Sequence, residues 1–230
     1  MFEWEGRSLR LGEVPEMRRW KRKHGEGHRP RTWMNPTVLT ATDPIYPARL
    51  RERLGEHAPR TLTALGNLAL LSQPKTALFC SVRCPGDAIL GAYDTARRLR
   101  DEGVTVISGF HSPVEKECLR ILLRGKQPIV ICLARSLAKI RLPAAWRSAL
   151  DSGRLSLLSR FEKLPRRPTT ESAHSRNELV AALSDEVLII HAEPGGSVAR
   201  IADLADGWHI LRSDLDRGDS KLSEVFSKPR

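Results

Sequence analysis

Short continuous apolar runs alternate along this 230-residue chain with stretches in which apolar residues recur every three or four positions. Thr76–Ser81, Val104–Ser108, Ile129–Leu133, Leu155–Leu158 and Val187–His191 are runs of the first kind. An apolar run of this length, bounded by small or polar residues, fits a strand covered on both faces. Between the first two runs, Ala88–Glu102 sets Ile89, Ala92, Tyr93, Ala96 and Leu99 at helical spacing, and Arg97, Arg98, Arg100 and Asp101 fall on the other side. Pro113–Arg124 repeats the pattern with Val114, Cys118, Ile121 and Leu122. Ser175–Leu183 and Ser197–Ala205 predict two further helices, and Trp208–Leu211 an edge strand. Such alternation implies right-handed crossovers between parallel strands. The expected fold is α/β, with a doubly wound, mostly parallel sheet and helices on both faces.

The pattern divides the chain into four parts. Residues 1–34 form a basic extension with little expected fixed structure, in which Arg18, Arg19, Lys21, Arg22, Lys23, Arg29 and Arg31 cluster beside Gly and Pro. Residues 35–75 read as a lead-in that packs on the core, with a short helix around Ala48–Leu54. Residues 76–215 are the α/β domain, and 216–230 a C-terminal tail.

Composition narrows the function classes. Hydrophobic residues at 40% and charged residues at 28% are ordinary for a globular chain. No apolar run approaches the roughly 20 residues that cross a bilayer. The first 31 residues lack the apolar core of a secretion signal, so the expected location is cytoplasmic, without a membrane partner. Cys80, Cys84, Cys118 and Cys132 show no C-x-x-C pairing, and the histidines no ligand spacing. No metal and no cofactor are expected.

Charge changes the picture more. The net charge is +11, and between Arg120 and Arg176 thirteen Arg and Lys stand against Asp151, Glu162 and Glu171. A local excess of this size is a footprint for a polyanion, nucleic acid above all, against the alternative of a solvated basic face. Arg135, Lys139 and Arg141 follow the third core strand, Arg160, Lys163, Arg166 and Arg167 the fourth, and Arg176 is expected to open the next helix. These positions share the carboxyl edge of the sheet, where open α/β sheets bind ligands.

Three small-residue loops belong to the same edge. Ser81-Val82-Arg83-Cys84-Pro85-Gly86 joins a hydroxyl and a guanidinium to helix N-terminal amides, although Arg83 could instead pair with Asp87. Ser108-Gly109-Phe110-His111-Ser112-Pro113 leads into a helix with Glu115 in its first turn, a normal N-terminal arrangement. Glu193-Pro194-Gly195-Gly196-Ser197 combines glycines that permit close approach to an anion with a serine suited to capping. The candidate phosphate-binding residues are Ser81, Arg83, Gly86, Ser108, Gly109, His111, Ser112, Arg135, Lys139, Arg166, Arg167, Arg176, Asn177, Gly195, Gly196 and Ser197. No catalytic residue is assigned. Aromatic residues make up only 5% of the chain, which argues against an extended base-stacking platform.

Asp43-Pro44-x-Tyr46-Pro47-x-x-Leu50, Leu65-Gly66-Asn67-x-x-Leu70-Leu71, Ser81-x-Arg83, Ser108-Gly109 and Arg176-Asn177-x-x-x-Ala181-x-Leu183-Ser184-Asp185 occur in an order and spacing that resemble the DNA-processing protein A family, also called Smf. The resemblance spans about Asp43 to Leu211. It implies a Rossmann-like domain that binds single-stranded DNA, protects incoming strands in natural transformation and helps load a RecA-type recombinase. It also implies a homodimer and no established catalytic activity. On this resemblance Arg83 takes the place of the arginine in the family's glycine-serine-arginine loop. Arg176 and Asn177 stand in its arginine-asparagine-arginine motif, and Glu115 stands where the family has an aspartate. The chain departs from the pattern at Cys80 and Val82, at His111–Glu115 and at Glu178, and a C-terminal winged helix is not expected in these 230 residues.

Two other function classes stay open. Pro194-Gly195-Gly196 resembles the start of a phosphoribohydrolase signature, although Val198 and Ala199 replace its glycine and threonine. A nucleotide-ligand sensor, or such an enzyme, could use the same loops. A protein-interaction module with an acidic partner is the third class.

Overall fold

In the computed structural model the described residues are 35–162 and 168–204, together with the backbone of 3–4, 7–8 and 210–212. The tail, residues 216–230, lies outside them. The chain forms two units, 1–34 and 35–230. In the first, Glu3–Trp4 (β1) pairs antiparallel with Arg7–Ser8 (β2).

The second unit is built on an eight-stranded mixed sheet. Its strands are Thr37–Thr40 (β3), Thr61–Gly66 (β4), Thr76–Cys80 (β5), Val106–Ser108 (β6), Ile129–Cys132 (β7), Leu155–Ser159 (β8), Glu186–His191 (β9) and Ile210–Arg212 (β10). The order is β10-β9-β5-β6-β7-β8-β4-β3. The first six are parallel, while β4 runs antiparallel to β8 and β3 antiparallel to β4. Strands that follow β5 extend the sheet one way through β8 and the other way through β9 and β10. The reversal falls between β5 and β9, where a doubly wound sheet opens its ligand crevice.

The lead-in is thus part of the sheet rather than only a layer on it. Two short strands extend the sheet beyond β8, and Gly66 ends β4 at φ +103°, where a Cβ would stand 2.4 Å from the Leu155 carbonyl oxygen. Only glycine makes that turn without displacing β8.

The helices are Ala48–Leu54 (α1), Gly86–Asp101 (α2), Pro113–Leu123 (α3), Ala144–Asp151 (α4), Thr170–Leu183 (α5) and Ser197–Leu204 (α6). α1, α5 and α6 share a core with one face of the sheet. There Leu50, Leu179, Val180 and Ile201 meet Ala77, Phe79, Ile107, Val130 and Ile189. The pleat turns Leu78, Ile129, Ile131 and Leu155 to the other face, which α2, α3 and α4 cover. Leu50 is fully buried, so Leu50→Ala removes packing worth about 2–5 kcal/mol.

Helix starts follow their local chemistry. Ser112 and Glu115 form a capping box at α3, with Pro113 in the first turn. Thr169 and Ser172 form another at α5. This second box starts α5 at Thr170, five residues before the expected Ser175. Arg176 therefore lies in the middle of α5 rather than at its opening, and its side chain is buried. Among the described residues no helix is long and apolar enough to cross a membrane.

Candidate nucleic-acid interface

Because β5 to β9 are parallel, the loops that follow them emerge on one edge. Backbone and side-chain bonds brace the loops after β5 and β9 against each other. Ser81 N–H donates to His191 O (3.0 Å), and Glu193 N–H donates to Ser81 Oγ (2.9 Å). Arg83 Nη1 lies 3.0 Å from Glu193 Oε1, with the Arg83 side chain 85% exposed. Its partner is thus Glu193 and not Asp87, whose carboxylate accepts from Ala88 N–H instead. Such an exposed pair contributes at most about 1 kcal/mol, so it yields readily to a stronger anion. Gly195 turns the last loop at φ +70°, and α6 begins at Ser197 itself. Gly86 is the first residue of α2.

The loop after β6 is organised by a buried carboxylate. Glu115 Oε1 accepts from Cys80 N–H (3.0 Å), and Oε2 accepts from His111 N–H (2.8 Å) and Ser112 N–H (3.2 Å). One side chain of α3 therefore fixes the end of β5 and the whole turn after β6. Ser108 Oγ donates to Leu78 O (2.7 Å) and accepts from Phe110 N–H (3.2 Å). Phe110 is held at φ +45° with its ring buried. The hydroxyl oxygens of Ser81, Ser108 and Ser112 each accept a main-chain N–H and so brace this edge.

Arg176 crosses from α5 to lie against this turn. It is 5% exposed, and its Nε has no hydrogen-bond partner among the described residues. The guanidinium sits directly on Gly109, where a Cβ would come within 1.8 Å of Nη1 and 2.1 Å of Cζ. Gly109 is therefore a seat for Arg176, a requirement that the loop sequence alone does not disclose. Burial pushes the Arg176 pKa below the usual guanidinium value, and the Glu115 charge opposes this. Asn177, the next residue of α5, is also buried.

Arg176 lines a cleft of about 540 Å³ together with Gly109, His111, Lys116, Arg120, Arg135 and Trp146, among others. No carboxylate is among its lining residues. Burial, then the Arg176 and Lys116 charges, hold the His111 pKa below the ordinary histidine range. Arg135 is half-buried here, and Lys139 is exposed further along the same loop at φ +54°. Arg160 is tied into the scaffold instead: it donates to Ser175 O (3.3 Å) and His57 O (3.1 Å). Lys163, Arg166 and Arg167 lie outside the described residues.

Cys80, Cys118 and Cys132 are buried and unsuited to nucleophilic work. Burial raises the Cys80 thiol far above its usual pKa and the Cys118 and Cys132 thiols to about 12, which leaves no thiolate at neutral pH. Among the described residues no cluster of His, Cys, Asp and Glu could hold a metal ion.

The loops are legible in the sequence, but the role of Glu115 as a link between β5 and the turn after β6 is not, and Trp146, which reads as a core residue near the basic stretch, is a wall of the cleft. The Ser112-x-x-Glu115 spacing is a local signal for the cap alone. Its bond to Cys80 is set by the tertiary fold.

Sheet order and braced loops define a Rossmann-like α/β protein with a cationic rim at the carboxyl ends of its parallel strands. The family described as DNA recombination-mediator protein A matches residues 37–207, and the chain belongs to it. Among solved structures, the chain is similar to DNA processing protein A (DprA) from Streptococcus pneumoniae, with TM-score 0.63 and 21% identity over 80% of this chain. It spans 66% of that protein's chain, just under two thirds. It is also similar to DNA processing protein A from Helicobacter pylori, whose single-stranded DNA binding mode has been described. There the TM-score is 0.61 and the identity 21%, covering 84% of this chain and 87% of the other. At this identity the likeness concerns the fold. No curated protein matches.

Proposed function

We propose that this protein holds single-stranded DNA by its phosphates along the carboxyl rim. Arg83, Arg135, Lys139 and Arg176 would be the described contacts, and Arg166 and Arg167 are further candidates. The observation that carries this reading is the cleft lined by Lys116, Arg120, Arg135 and Arg176, with no carboxylate among its lining residues. A guanidinium fork can hold phosphate oxygens in two-point geometry, and Gly109 brings main chain close beside it. The internally bonded serines keep the loops rigid, so little order would be lost on binding.

The description of the family as a recombination mediator supports a role in recombination; DNA uptake or defence as the setting, and a RecA-type recombinase and a second copy of the chain as partners, are part of the same proposal. DNA work would place it in the cytoplasm.

The test is an anisotropy titration of a labelled oligo-dT strand, its duplex and ATP at several salt concentrations. Four phosphate contacts predict a slope of log affinity against log salt of about −3 for the single strand. Flat salt dependence contradicts the reading. A single saturable ATP site with no oligonucleotide binding would favour a nucleotide sensor instead.

A further inference from the structure

Two of the segments that carry the family resemblance, Asp43–Leu50 and Leu65–Leu71, contribute nothing to the lining of the cationic cleft. They meet at the opposite, amino end of the sheet around a second cleft of about 650 Å³. Its walls are largely apolar, with Pro44, Ile45, Pro47, Leu71, Pro74 and Leu183 among them. The charged residues that line it are Arg49, Lys75 and Asp185. Both oxygens of Asp185 are occupied: one pairs with Arg49 Nη1, and the other accepts Lys75 N–H (2.8 Å). Lys75 itself is 5% exposed, and its Nζ makes one hydrogen bond among the described residues, to Leu71 O (3.0 Å). An ammonium carries three N–H donors, so the buried head group has donors to spare. Burial pushes the Lys75 pKa below the usual lysine value; the Asp185 charge opposes this and the Arg49 charge adds to it.

We propose that this second cleft binds a small monocarboxylate with an apolar body, its carboxylate on Lys75 Nζ and its body against Pro44, Ile45 and Leu183. Two cations share one acid here, so the complementary ligand carries a single negative charge. A cation in apolar surroundings is costly to bury unless an anion joins it, and a carboxylate supplies both the charge and the missing acceptors. Apolar walls with a few placed polar groups, in a volume of this size, are the ordinary form of a small-molecule site. Leu183 and Asp185 come from the end of α5 and the residues just after it, whereas the other walls come from residues 44–75, so the ligand also ties the lead-in to the core. The site is separate from the carboxyl rim and does not rest on the phosphate-holding reading.

The experiment titrates the full chain with benzoate and with benzyl alcohol, its neutral analogue, by calorimetry and by thermal denaturation. Benzoate should bind saturably, about tenfold more tightly than the alcohol, and should raise the melting temperature. Lys75→Met keeps an apolar chain of similar length without the ammonium; it should bring benzoate down to the level of the alcohol and leave the alcohol unchanged. Ile45 is 51% exposed, so Ile45→Asp and Ile45→Lys change the charge at the mouth without touching the core. The aspartate should weaken benzoate more than the lysine does, with benzyl alcohol alike in both, and this pair decides the matter if Lys75→Met fails to fold. No saturable benzoate binding, or equal affinity for benzoate and benzyl alcohol, overturns the proposal. Benzoate that is indifferent to Lys75→Met and displaced by oligo-dT overturns it too, because the anion then sits on the carboxyl rim.

Discussion

The two ends of the parallel sheet both carry buried or half-buried cations, and they use them differently. At the amino end, Arg49 bonds Ser184 O (3.1 Å) and Asp185, Arg53 bonds Ser184 O and Ala181 O, and Lys75 Nζ bonds Leu71 O (3.0 Å). The Arg49 and Arg53 donors end on carbonyls of the α5 C-terminus, where the helix dipole favours positive charge, and Lys75 ends on the last carbonyl of the turn at Leu68–Leu71. Asp185 completes the knot by accepting Lys75 N–H (2.8 Å). At the carboxyl end, Arg176 has a buried Nε with no acceptor among the described residues, Arg83 has only an exposed ion pair, and Glu115 is occupied with main-chain N–H groups. Charge that is satisfied inside the protein holds the lead-in to the core. A buried guanidinium nitrogen without an acceptor among the described residues occurs at both ends, Arg154 Nη1 at the amino end and Arg176 Nε at the carboxyl end, but of the two only Arg176 lines the acid-free cleft.

Removing the organiser of the carboxyl end should have the largest effect. Glu115→Ala strips three N–H groups of their acceptor and leaves Arg176 without a buried counter-charge, so the unfolding free energy should fall by about 3–5 kcal/mol in a denaturant titration. Loss below about 1 kcal/mol would mean that the carboxylate does not hold these loops. Gly109→Ala drives the guanidinium from its seat. Stability should drop by about 1–3 kcal/mol and single-strand affinity about tenfold.

Asp185→Ala breaks the knot at the other end. It should cost a comparable 1–3 kcal/mol of stability, about what charged hydrogen bonds contribute, while oligonucleotide affinity stays unchanged. An affinity loss there would erase the distinction between the two ends.

The smallest expected effect is on pH dependence. His111 in the free protein holds its proton less readily than an ordinary histidine, because of burial and the adjacent Arg176 and Lys116. A bound phosphate offsets those charges, so the complex takes up a proton that the free protein lacks. Affinity should therefore rise two- to threefold, by rough estimate, as pH falls through and below the ordinary histidine range near 6.5. His111→Gln should flatten that rise in the same anisotropy measurement.

The parallel core was legible because strands covered on both faces must be apolar throughout, as Ile129–Cys132 is. β3 and β4 escaped because Thr37–Thr40 and Thr61–Gly66 interleave threonine with leucine and alanine near Pro36 and Pro59, so they read as connecting segments. α4 escaped for a related reason: it is short and starts after Pro143 with two alanines, which carry little periodic signal. The early start of α5 depends on a polar capping box, Thr169 and Ser172, that lies outside any hydrophobic pattern.

At the site, the loops and their common edge followed from the parallel order alone. Which side chains would be free did not, since that depends on pairs distant in sequence. Arg176 is buried because Gly109 leaves room for it, and Ser81 is engaged because Glu193 comes round from β9. Asp87 was the alternative partner for Arg83 by proximity along the chain, and the fold gives it Glu193.

The central claim is that the carboxyl rim alone meets phosphate. It is tested most directly by the salt dependence of oligo-dT binding in the wild type, in the Arg135→Ala/Lys139→Ala double variant and in Arg49→Ala. The account predicts that the double variant lowers the magnitude of the slope by about 1.4, and that Arg49→Ala leaves it unchanged. Equal slopes in the wild type and the double variant, or a shallower slope in Arg49→Ala, would contradict it.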